Sequence, residues 1–430
     1  MMLPVDRSVW EAPVVSLHEN GLWYFLRAAP CLPKGNNFII DSLGQFFAVT
    51  AGKRSSGTRA VGDLRRSLGL FSRTEKENAL VAPKCDKLNS CPPPAGLKGE
   101  IDMNRLMHTL MFLFFVFMMT IPNPVMAVTT LKLATVTPSH HAYAVGANEF
   151  ARLIKEGTNG EVIVKVFPAG QLGKGERELL EGIQLGTIDM AVTATGPVSN
   201  FSENMGVVDL PFLFTGYDHV DKVLDGAVGR RLLDDLKSAG IKGLSFFENG
   251  FRNFTNSRRR LKSPEDFKGL KFRTMENPVH LSSVRRLGAQ AVPMSWGEVY
   301  TSLQTGVIDG QENPVAVVYT CKLSEVQKYL SLTGHFYSPA PLSMSLKKFG
   351  QLKPALKKLF LKAALKAAAF ERKVIRDNEA RQLKELKNQG MKIDTVDKAL
   401  FIKAMAPVYN KFFDKYPGWK GIVEKIRGTR

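Results

Sequence analysis

The sequence predicts an α/β protein with two similar lobes and one long helix that spans both. Between residues 131 and 167 a strand pattern, a helix pattern and a second strand pattern follow one another, which indicates a βαβ unit and a largely parallel sheet. One helix–turn–strand segment then occurs twice, as Ile183–Asp189 and as Leu303–Asp309, which indicates a second lobe of the same kind. An amphipathic pattern from Pro354 to about Gln389 predicts the long helix.

The size and composition of the chain are those of a globular protein. Its 430 residues are enough for two or three domains with hydrophobic cores, and 44% of them are hydrophobic and 23% charged. The net charge of +19 permits binding to nucleic acid or to an anionic surface. The excess is spread along the chain, however, and its one tight cluster, Arg258-Arg259-Arg260, is better interpreted as a solvated loop than as a polyanion site.

The elements of the first lobe follow from hydrophobic spacing. Leu131–Val136 is a β-rich run, and Tyr143, Phe150 and Ile154 then recur at helical spacing. Alternating Val and Ile within Glu161–Phe167 predict the second strand. We therefore expect the first βαβ unit to start near residue 131.

Both copies of the repeated segment place a glycine at the end of a helix. Gly186 and Gly306 are expected to adopt the left-handed conformation that caps a helix C-terminus. A strand follows the first copy at Ile188–Val192, and in the second lobe Lys271–Thr274 predicts a strand at whose end Arg273 lies. The two lobes are therefore expected to contain the same arrangement of helix, glycine cap and strand.

The long helix predicts how the lobes are divided. At roughly 35 residues it would be about 50 Å long, which exceeds the length of one lobe of this size. A further helical segment runs from Val396 to Phe413. We expect residues 128–252 with part of 339–380 to form lobe 1, and residues 253–338 with 381–430 to form lobe 2.

A secretion signal is predicted at residues 103–127. Arg105 gives it a cationic start, an apolar run extends from Leu110 to Ile121, and Val125-Met126-Ala127 resembles a small-residue cleavage site. The apolar run is shorter than the roughly 20 residues that a membrane-spanning helix needs. We therefore expect a cleaved signal and a protein of the periplasm.

Residues 1–102 show no sustained period and specify no hydrophobic core. A signal peptide acts at a free N-terminus, so a preceding segment of this length is unexpected. We therefore expect residues 1–102 to be an upstream extension without a fold of its own, and translation to begin at Met103.

Motifs of enzymes and metal sites are absent from the sequence. There is no G-x-S-x-G, H-E-x-x-H or complete G-x-G-x-x-G, and Gly170–Gly175 lacks the Ser or Thr of a phosphate-binding loop. The adjacent His140 and His141 point to different sides of a regular element, and Cys321 lacks an activating neighbour. The cysteines show neither zinc-finger nor paired disulfide spacing. These observations predict no catalysis, no metal and no cofactor.

Three residues suit recognition of a carboxylate. Arg252 follows Asn249-Gly250-Phe251, Arg273 ends the run from Lys268, and Asn313 lies in Asp309–Pro314. An arginine meets a carboxylate with two parallel hydrogen bonds, which a lysine cannot do. For a single arginine a surface ion pair is the more common explanation.

These segments resemble the extracytoplasmic solute-binding proteins of tripartite ATP-independent periplasmic (TRAP) transporters, of the dicarboxylate-binding DctP type. The resemblance covers Leu131 to Pro417 and none of residues 1–102. It is carried by Phe167–Gly173, Glu248–Arg252, Lys268–Pro278 and Glu298–Pro314.

The resemblance implies a periplasmic-binding-protein (Venus-flytrap) fold whose lobes close on an organic acid. It implies that Arg273 forms the principal salt bridge to the ligand carboxylate, assisted by Arg252 and Asn313. The partners would be the small and large membrane permease subunits, without nucleic acid. C4-dicarboxylates are the usual ligands of the family, and some relatives bind sugar acids or keto acids instead.

Two alternative functions, and the identity of the aromatic residues that line the pocket, stay open at this point. A secreted α/β enzyme that acts on a small carboxylate would need a nucleophile or an acid–base pair, and a surface-adhesion or nucleic-acid protein would need a polyanion site. Aromatic side chains usually line ligand pockets, although core packing explains them equally well. The candidates for the wall are Trp296, Phe212, Tyr319 and Tyr337.

Overall fold

The computed structural model describes residues 14–19, 22–27, 102–119 and 128–429, and the chain divides into two compact units, Met1–Leu106 and Met107–Arg430. In the first unit, β1 (Val14–Glu19) and β2 (Leu22–Arg27) pair antiparallel. This pairing is not among the features that the sequence predicts. The other residues to which the expectation of an unfolded extension applies lie almost entirely outside the described ranges.

Helix α1 (Met103–Met119) contains the predicted apolar run from Leu110 as far as Met119, and Met111, Phe112 and Phe114 are exposed on it. The predicted cleavage site at residues 125–127 lies outside the described residues. None of the described helices has the length and hydropathy that a membrane crossing requires.

A nine-stranded sheet organises the second unit. Its order is β4-β3-β5-β10-β6-β9-β7-β8, and β11 pairs with β10. The strands are β3 (Thr129–Ala134), β4 (Val162–Phe167), β5 (Met190–Val192), β6 (Ile241–Asn256), β7 (Lys271–Thr274), β8 (Gln290–Pro293), β9 (Gly310–Pro314), β10 (Tyr329–Ser345) and β11 (Lys392–Thr395).

Two long antiparallel strands, β6 and β10, connect the two lobes. The parallel strands β3, β4 and β5 form lobe 1 with the end of β10 near Leu342, and the parallel strands β7, β8 and β9 form lobe 2 with the end of β6 near Phe254. The predicted α/β fold, with two lobes that each contain parallel strands, is therefore confirmed. The predicted boundaries at residues 252 and 338 fall inside β6 and β10, so both strands belong partly to each lobe.

Helices cover both faces of this sheet. They are α2 (Ala142–Gly157), α3 (Glu176–Leu185), α4 (Thr195–Val198), α5 (Tyr217–Leu224), α6 (Ala227–Asp235), α7 (Pro278–Arg286), α8 (Trp296–Gln304), α9 (Val315–Thr320), α10 (Leu346–Gln351), α11 (Pro354–Asn388), α12 (Lys398–Met405), α13 (Pro407–Lys415) and α14 (Gly418–Gly428). Short 3-10 turns cover Glu203–Asp209, Leu236–Ala239, Pro264–Phe267 and Leu323–Glu325.

Helix α11 spans both lobes, as the sequence predicts. Its first half packs Phe360 and Ala363 against the lobe 1 core, which includes Phe150. Near its other end, Leu386 packs with Leu303 of lobe 2. The C-terminal segment that was assigned to lobe 2 is divided in the structure, because α12 packs on lobe 2 whereas α14 packs in the core of lobe 1.

The repeated segment builds the same junction in each lobe. Gly186 and Gly306 have φ values of 79° and 75°, as expected for left-handed caps. The Asp189 carboxylate accepts a hydrogen bond from the Lys132 backbone nitrogen at 2.6 Å, and that of Asp309 accepts one from Lys271 at 2.9 Å. Each aspartate therefore binds the backbone of a neighbouring parallel strand, β3 in lobe 1 and β7 in lobe 2.

Candidate ligand-binding site

Arg273 lies at the end of β7, next to β9, and its side chain is almost fully buried. Its Nε donates to the Met294 carbonyl oxygen at 3.0 Å, and its guanidinium carbon lies 5.7 Å from the centre of the Trp296 ring. Within the described part of the chain, no carboxylate lies within ion-pair distance of this guanidinium. Burial lowers the pKa of Arg273 to about 10, so the group is a buried cation at neutral pH.

Arg252 is a buried cation with a partner inside the protein. Its Nε and Nη2 atoms both donate to the Glu312 carboxylate of β9, the Nη2 bond being 2.9 Å long. Burial alone would raise the pKa of Glu312, but the Arg252 charge and the imidazoles of His280 and His335 hold that pKa well below its usual value. Arg252 and Glu312 therefore neutralise each other, as in other bidentate pairs.

Two buried histidines enclose this ion pair. His280 Nδ1 lies 3.5 Å from Glu312 Oε1, and His335 Nε2 lies 3.6 Å from Oε2. The His280 ring stacks on Phe336 with centroids 4.1 Å apart, and the His335 ring stacks on Phe254 at 4.0 Å. Burial lowers the pKa of His335 to about 4, so this ring is neutral at physiological pH. The Glu312 carboxylate is therefore held by packing as well as by charge.

Asn313 follows Glu312 on β9, and its side-chain nitrogen donates to Gln311. Gln311 is the register partner of Arg273 in the β7–β9 pair, and side chains alternate along a strand. Asn313 and Gln311 therefore lie on the same sheet face as Arg273. The charge of Arg252 also acts on this region, since it lowers the pKa of Arg273.

Several buried polar atoms have no partner in the described structure. They include Arg252 Nη1, the Tyr143 hydroxyl, Thr193 Oγ1 and Asn249 Oδ1. Tyr143 is close enough to Arg252 for that charge to act on its hydroxyl. Because buried polar atoms in proteins are nearly always hydrogen-bonded, such a group indicates a place where a polar ligand or water is accommodated.

Lobe 1 contributes an acid to the same region. Glu176, in the first turn of α3, accepts a hydrogen bond from the Ala194 backbone nitrogen at 2.7 Å. Burial raises its pKa, and the charges of Arg273 and Arg252 oppose that rise. The adjacent Gly175 lies so close to lobe 2 that an added Cβ would be 2.4 Å from Ser295 Oγ. The site is therefore at the junction of the two lobes.

The four aromatic candidates lie in different places. Trp296 lies beside Arg273, whereas Tyr337 is buried in the lobe 1 core and donates to Glu248 at 2.9 Å. Phe212 has a φ of 54° and donates its backbone nitrogen to His335, while Tyr319 lies 5.7 Å from the Arg381 guanidinium of α11. The structure therefore brings Trp296 to the arginine, and places Phe212 and Tyr337 in contact with core clusters.

Four residues of this region are not indicated by the sequence patterns: Glu312, Glu176, His280 and His335. Glu312 was visible inside the Asp309–Pro314 segment, but its partner on β6 depends on a cross-strand register that the sequence does not show. Position in the first turn of a helix is the one signal that could have indicated Glu176.

Metal and thiol chemistry find no support among the described residues. No group of His, Cys, Asp and Glu side chains there is arranged to hold a metal ion. Cys321 is a free thiol whose pKa burial raises to about 12, so it is protonated and unreactive. His141 caps α2, its Nδ1 accepting a hydrogen bond from the Tyr143 backbone nitrogen.

Two α/β lobes with a buried arginine at their junction are the construction of a solute-binding protein. The family model of the bacterial extracellular solute-binding proteins, family 7 (DctP), matches residues 133–416, and the chain belongs to this family. It is a TRAP-type solute-binding protein and not an enzyme. The alternative of a secreted enzyme is thereby excluded.

Individual relatives agree with this assignment. A solute-binding protein of Verminephrobacter eiseniae is 41% identical over 71% of this chain and 90% of its own length. A TRAP periplasmic solute-binding protein of Polaromonas sp. JS666, bound to D-erythronate, is 43% identical with a TM-score of 0.68, over 70% of this chain and 99% of that one. One from Bordetella bronchispeptica, whose density is interpreted as pantoate, is 42% identical with the same TM-score and the same coverage.

Proposed function

We propose that this protein captures a small organic acid between its lobes, outside the cytoplasmic membrane, and delivers it to the permease subunits of a TRAP transporter. The observation that carries the proposal is the buried Arg273 guanidinium at the lobe junction, which has no carboxylate partner among the described residues. A buried cation without a partner is costly, and a ligand carboxylate would provide one.

Arg273 is expected to form the principal salt bridge in the proposed site. Its Nε is held by Met294, which leaves the two terminal nitrogens for a bidentate contact with a carboxylate. Arg252 Nη1 and the side-chain oxygen of Asn313 are expected to assist, with Trp296 forming one wall. Closure of the lobes would exclude water and strengthen each of these interactions.

The proposed ligand is a hydroxylated acid with one carboxylate. Glu312 forms its ion pair with Arg252 and acts on Arg273 only from beyond ion-pair distance, which leaves Arg273 as the cation without a direct partner among the described residues. The Polaromonas structure holds D-erythronate and the Bordetella structure holds density interpreted as pantoate, and both compounds are hydroxylated monocarboxylates. Unpartnered polar atoms such as those of Thr193 and Asn249 suit ligand hydroxyl groups.

Thermal shift with a panel of acids tests this proposal. D-erythronate, pantoate, sugar acids, keto acids and C4-dicarboxylates would be compared, since a ligand at 100 times its Kd adds about 2.7 kcal/mol of stability. We expect Arg273→Ala to abolish the shift and Arg273→Lys to weaken binding roughly 100-fold, because lysine cannot make the bidentate contact. Arg286→Ala, at an exposed arginine of the same lobe, is the matched control. Normal affinity in Arg273→Ala would remove Arg273 from the site.

We also propose that residues 103–127 direct export and are removed near Ala127. The apolar helix α1 and the extracellular character of the family support this. Mass spectrometry of the protein from its natural host is expected to find a mature N-terminus near Val128. Peptides from residues 1–102 would contradict the expected start at Met103.

A further inference from the structure

The first part of α11, with the preceding α10, is the most one-sided charged segment of this chain. Between Leu346 and Phe370 there are seven lysines and no aspartate, glutamate or arginine. The second half of the same helix carries charges of both signs, for example Lys373 paired with Asp377. The lysine excess is therefore confined to one end of the helix.

Two of these lysines, Lys353 and Lys357, lie where a helix least favours them. The N-terminus of a helix carries a partial positive charge, so acidic residues are stabilising there and cations destabilising. Helix α11 nevertheless begins with Lys353 at its N-cap and Lys357 within the next turn, and its first turn has no acid. An external anion would compensate for this arrangement.

The lysines also lack acidic partners inside the protein. Lys348 pairs with Asp189, but in the described structure no other lysine of this segment lies within ion-pair distance of a carboxylate. The cluster at residues 258–260 differs, since Arg258 pairs with Asp309 and Arg260 with Asp394. The positive charge of the α11 segment therefore remains available, whereas that of the arginine cluster is partly neutralised.

The exposed cations form a row together with apolar side chains. Lys358, Lys362 and Lys366 recur at intervals of four and are exposed, so they share one face of the helix. Leu365 and Phe370 are 56% and 43% exposed in the same segment. The opposite face of the helix is buried against lobe 1. We call the exposed set of Lys353, Lys358, Lys362, Lys366, Leu365 and Phe370 the lysine face.

We propose that the lysine face docks this protein onto an anionic phospholipid surface. Lysines are depleted and arginines enriched in protein–protein interfaces, and this segment contains lysines alone. Long, flexible ammonium side chains suit a fluid layer of headgroups, into whose boundary Leu365 and Phe370 would insert shallowly. Such docking would concentrate the receptor at the membrane, and it does not depend on the identity of the ligand.

Vesicle binding tests the lysine face. The protein recovered from the extracytoplasmic fraction would be titrated with POPC vesicles and with POPC vesicles containing POPG, at low ionic strength. Each lysine near an anionic surface contributes about fivefold in partitioning, so the triple variant Lys358→Gln, Lys362→Gln, Lys366→Gln should lose about 100-fold of the affinity for POPG vesicles. A matched triple variant, Lys384→Gln, Lys387→Gln, Lys403→Gln, removes the same charge elsewhere and should lose less than about threefold.

The outcomes distinguish docking through the lysine face from attraction by the overall positive charge of the protein. Equal losses of POPG affinity in the two triple variants would overturn the proposal. A wild-type protein that binds POPG and POPC vesicles equally would also overturn it, and this result is expected if the lysine face instead binds an acidic protein. Any residual contribution of α1 is the same in all variants and does not affect their comparison. The acid-induced thermal shift should persist in both triple variants, which shows that they are folded and separates this test from that of Arg273.

Discussion

The two buried arginines of the site differ in what neutralises them, and this difference predicts opposite effects on stability. Glu312 pairs with Arg252 in a fully buried, bidentate contact. Arg273 donates to a carbonyl oxygen and lies beside Trp296, and no carboxylate among the described residues is at ion-pair distance from it. The first arginine is therefore part of the folded framework, whereas the second is the cation that we propose the ligand neutralises.

Glu312→Gln should destabilise the protein by about 3 kcal/mol, because it leaves Arg252 buried without a counter-charge. Arg273→Ala should leave the free energy of unfolding of the ligand-free protein unchanged or higher, since it removes a buried cation that has no partner. Urea denaturation without ligand measures both. Equal destabilisation in the two variants would show that Arg273 is structural.

For single residues, the sequence predicts which side chains suit carboxylate recognition better than it predicts which side chains form ion pairs with each other. Arginine and asparagine at positions 252, 273 and 313 indicate carboxylate recognition because of their residue types. That Arg252 is already neutralised could not be predicted, because it depends on β6 and β9 lying side by side. The roles of Phe212 and Tyr337 were open for a similar reason, since a buried aromatic residue packs equally well in a core or a pocket wall.

At the scale of elements, the cap of α2 predicts a dependence of stability on pH. Burial lowers the pKa of His141 to about 3, below its unfolded value of 6.5, so the ring contributes stability above pH 6.5 that is lost as pH falls. Between pH 7.5 and 4.5 the loss from this residue should be roughly 2 to 3 kcal/mol. Asn is an effective N-cap that does not titrate, so His141→Asn should flatten the fall in melting temperature over this range. A slope equal to that of the wild type would contradict this assignment.

The crossing of α2 and α11 depends on a glycine. A Cβ at Gly146 would lie 2.7 Å from Glu371 Cβ and 2.8 Å from the Phe247 ring, so Gly146→Ala should destabilise the protein by about 2 kcal/mol through overpacking. Gly421→Ala in α14, where an added Cβ meets nothing within 4 Å, should instead stabilise by about 0.5 to 1 kcal/mol through helix propensity. Guanidinium denaturation distinguishes the two signs, and a stabilising Gly146→Ala would mean that the helices separate easily.

The helices that the sequence predicts are present, although Val396–Phe413 forms two helices, α12 and α13, and the two longest strands were not predicted. Helix ends are marked by local signals, such as the left-handed glycine cap at Gly186. Strand β6 contains Gly250 at a φ of 114°, and β10 contains Pro339 and Pro341 beside shifts in register. Glycine and proline normally argue against a central strand, so no local pattern identifies these two.

For the whole molecule, β6, β10 and α11 connect the lobes, so relative movement of the lobes must bend these elements. The repeated segment and the long helix were enough to predict two lobes. The shared strands could not be predicted, because contacts between residues far apart in sequence determine them. The position of the proposed acid site agrees with this construction, since Arg252 lies within a strand that runs through both lobes.

Contacts across the junction should determine how long a bound acid is retained. Asn200 of lobe 1 donates from its side chain to the Glu276 carbonyl oxygen of lobe 2 at 2.8 Å. Loss of this bond in Asn200→Ala should destabilise the closed form by about 1 kcal/mol and raise the Kd about fivefold, mainly through faster dissociation. Asn204→Ala is the matched control, because Asn204 donates to Asp235 within lobe 1, also at 2.8 Å. Stopped-flow release of the acid measures both variants, and equal rates in the two would mean that the lobes do not separate at Asn200 when the ligand leaves.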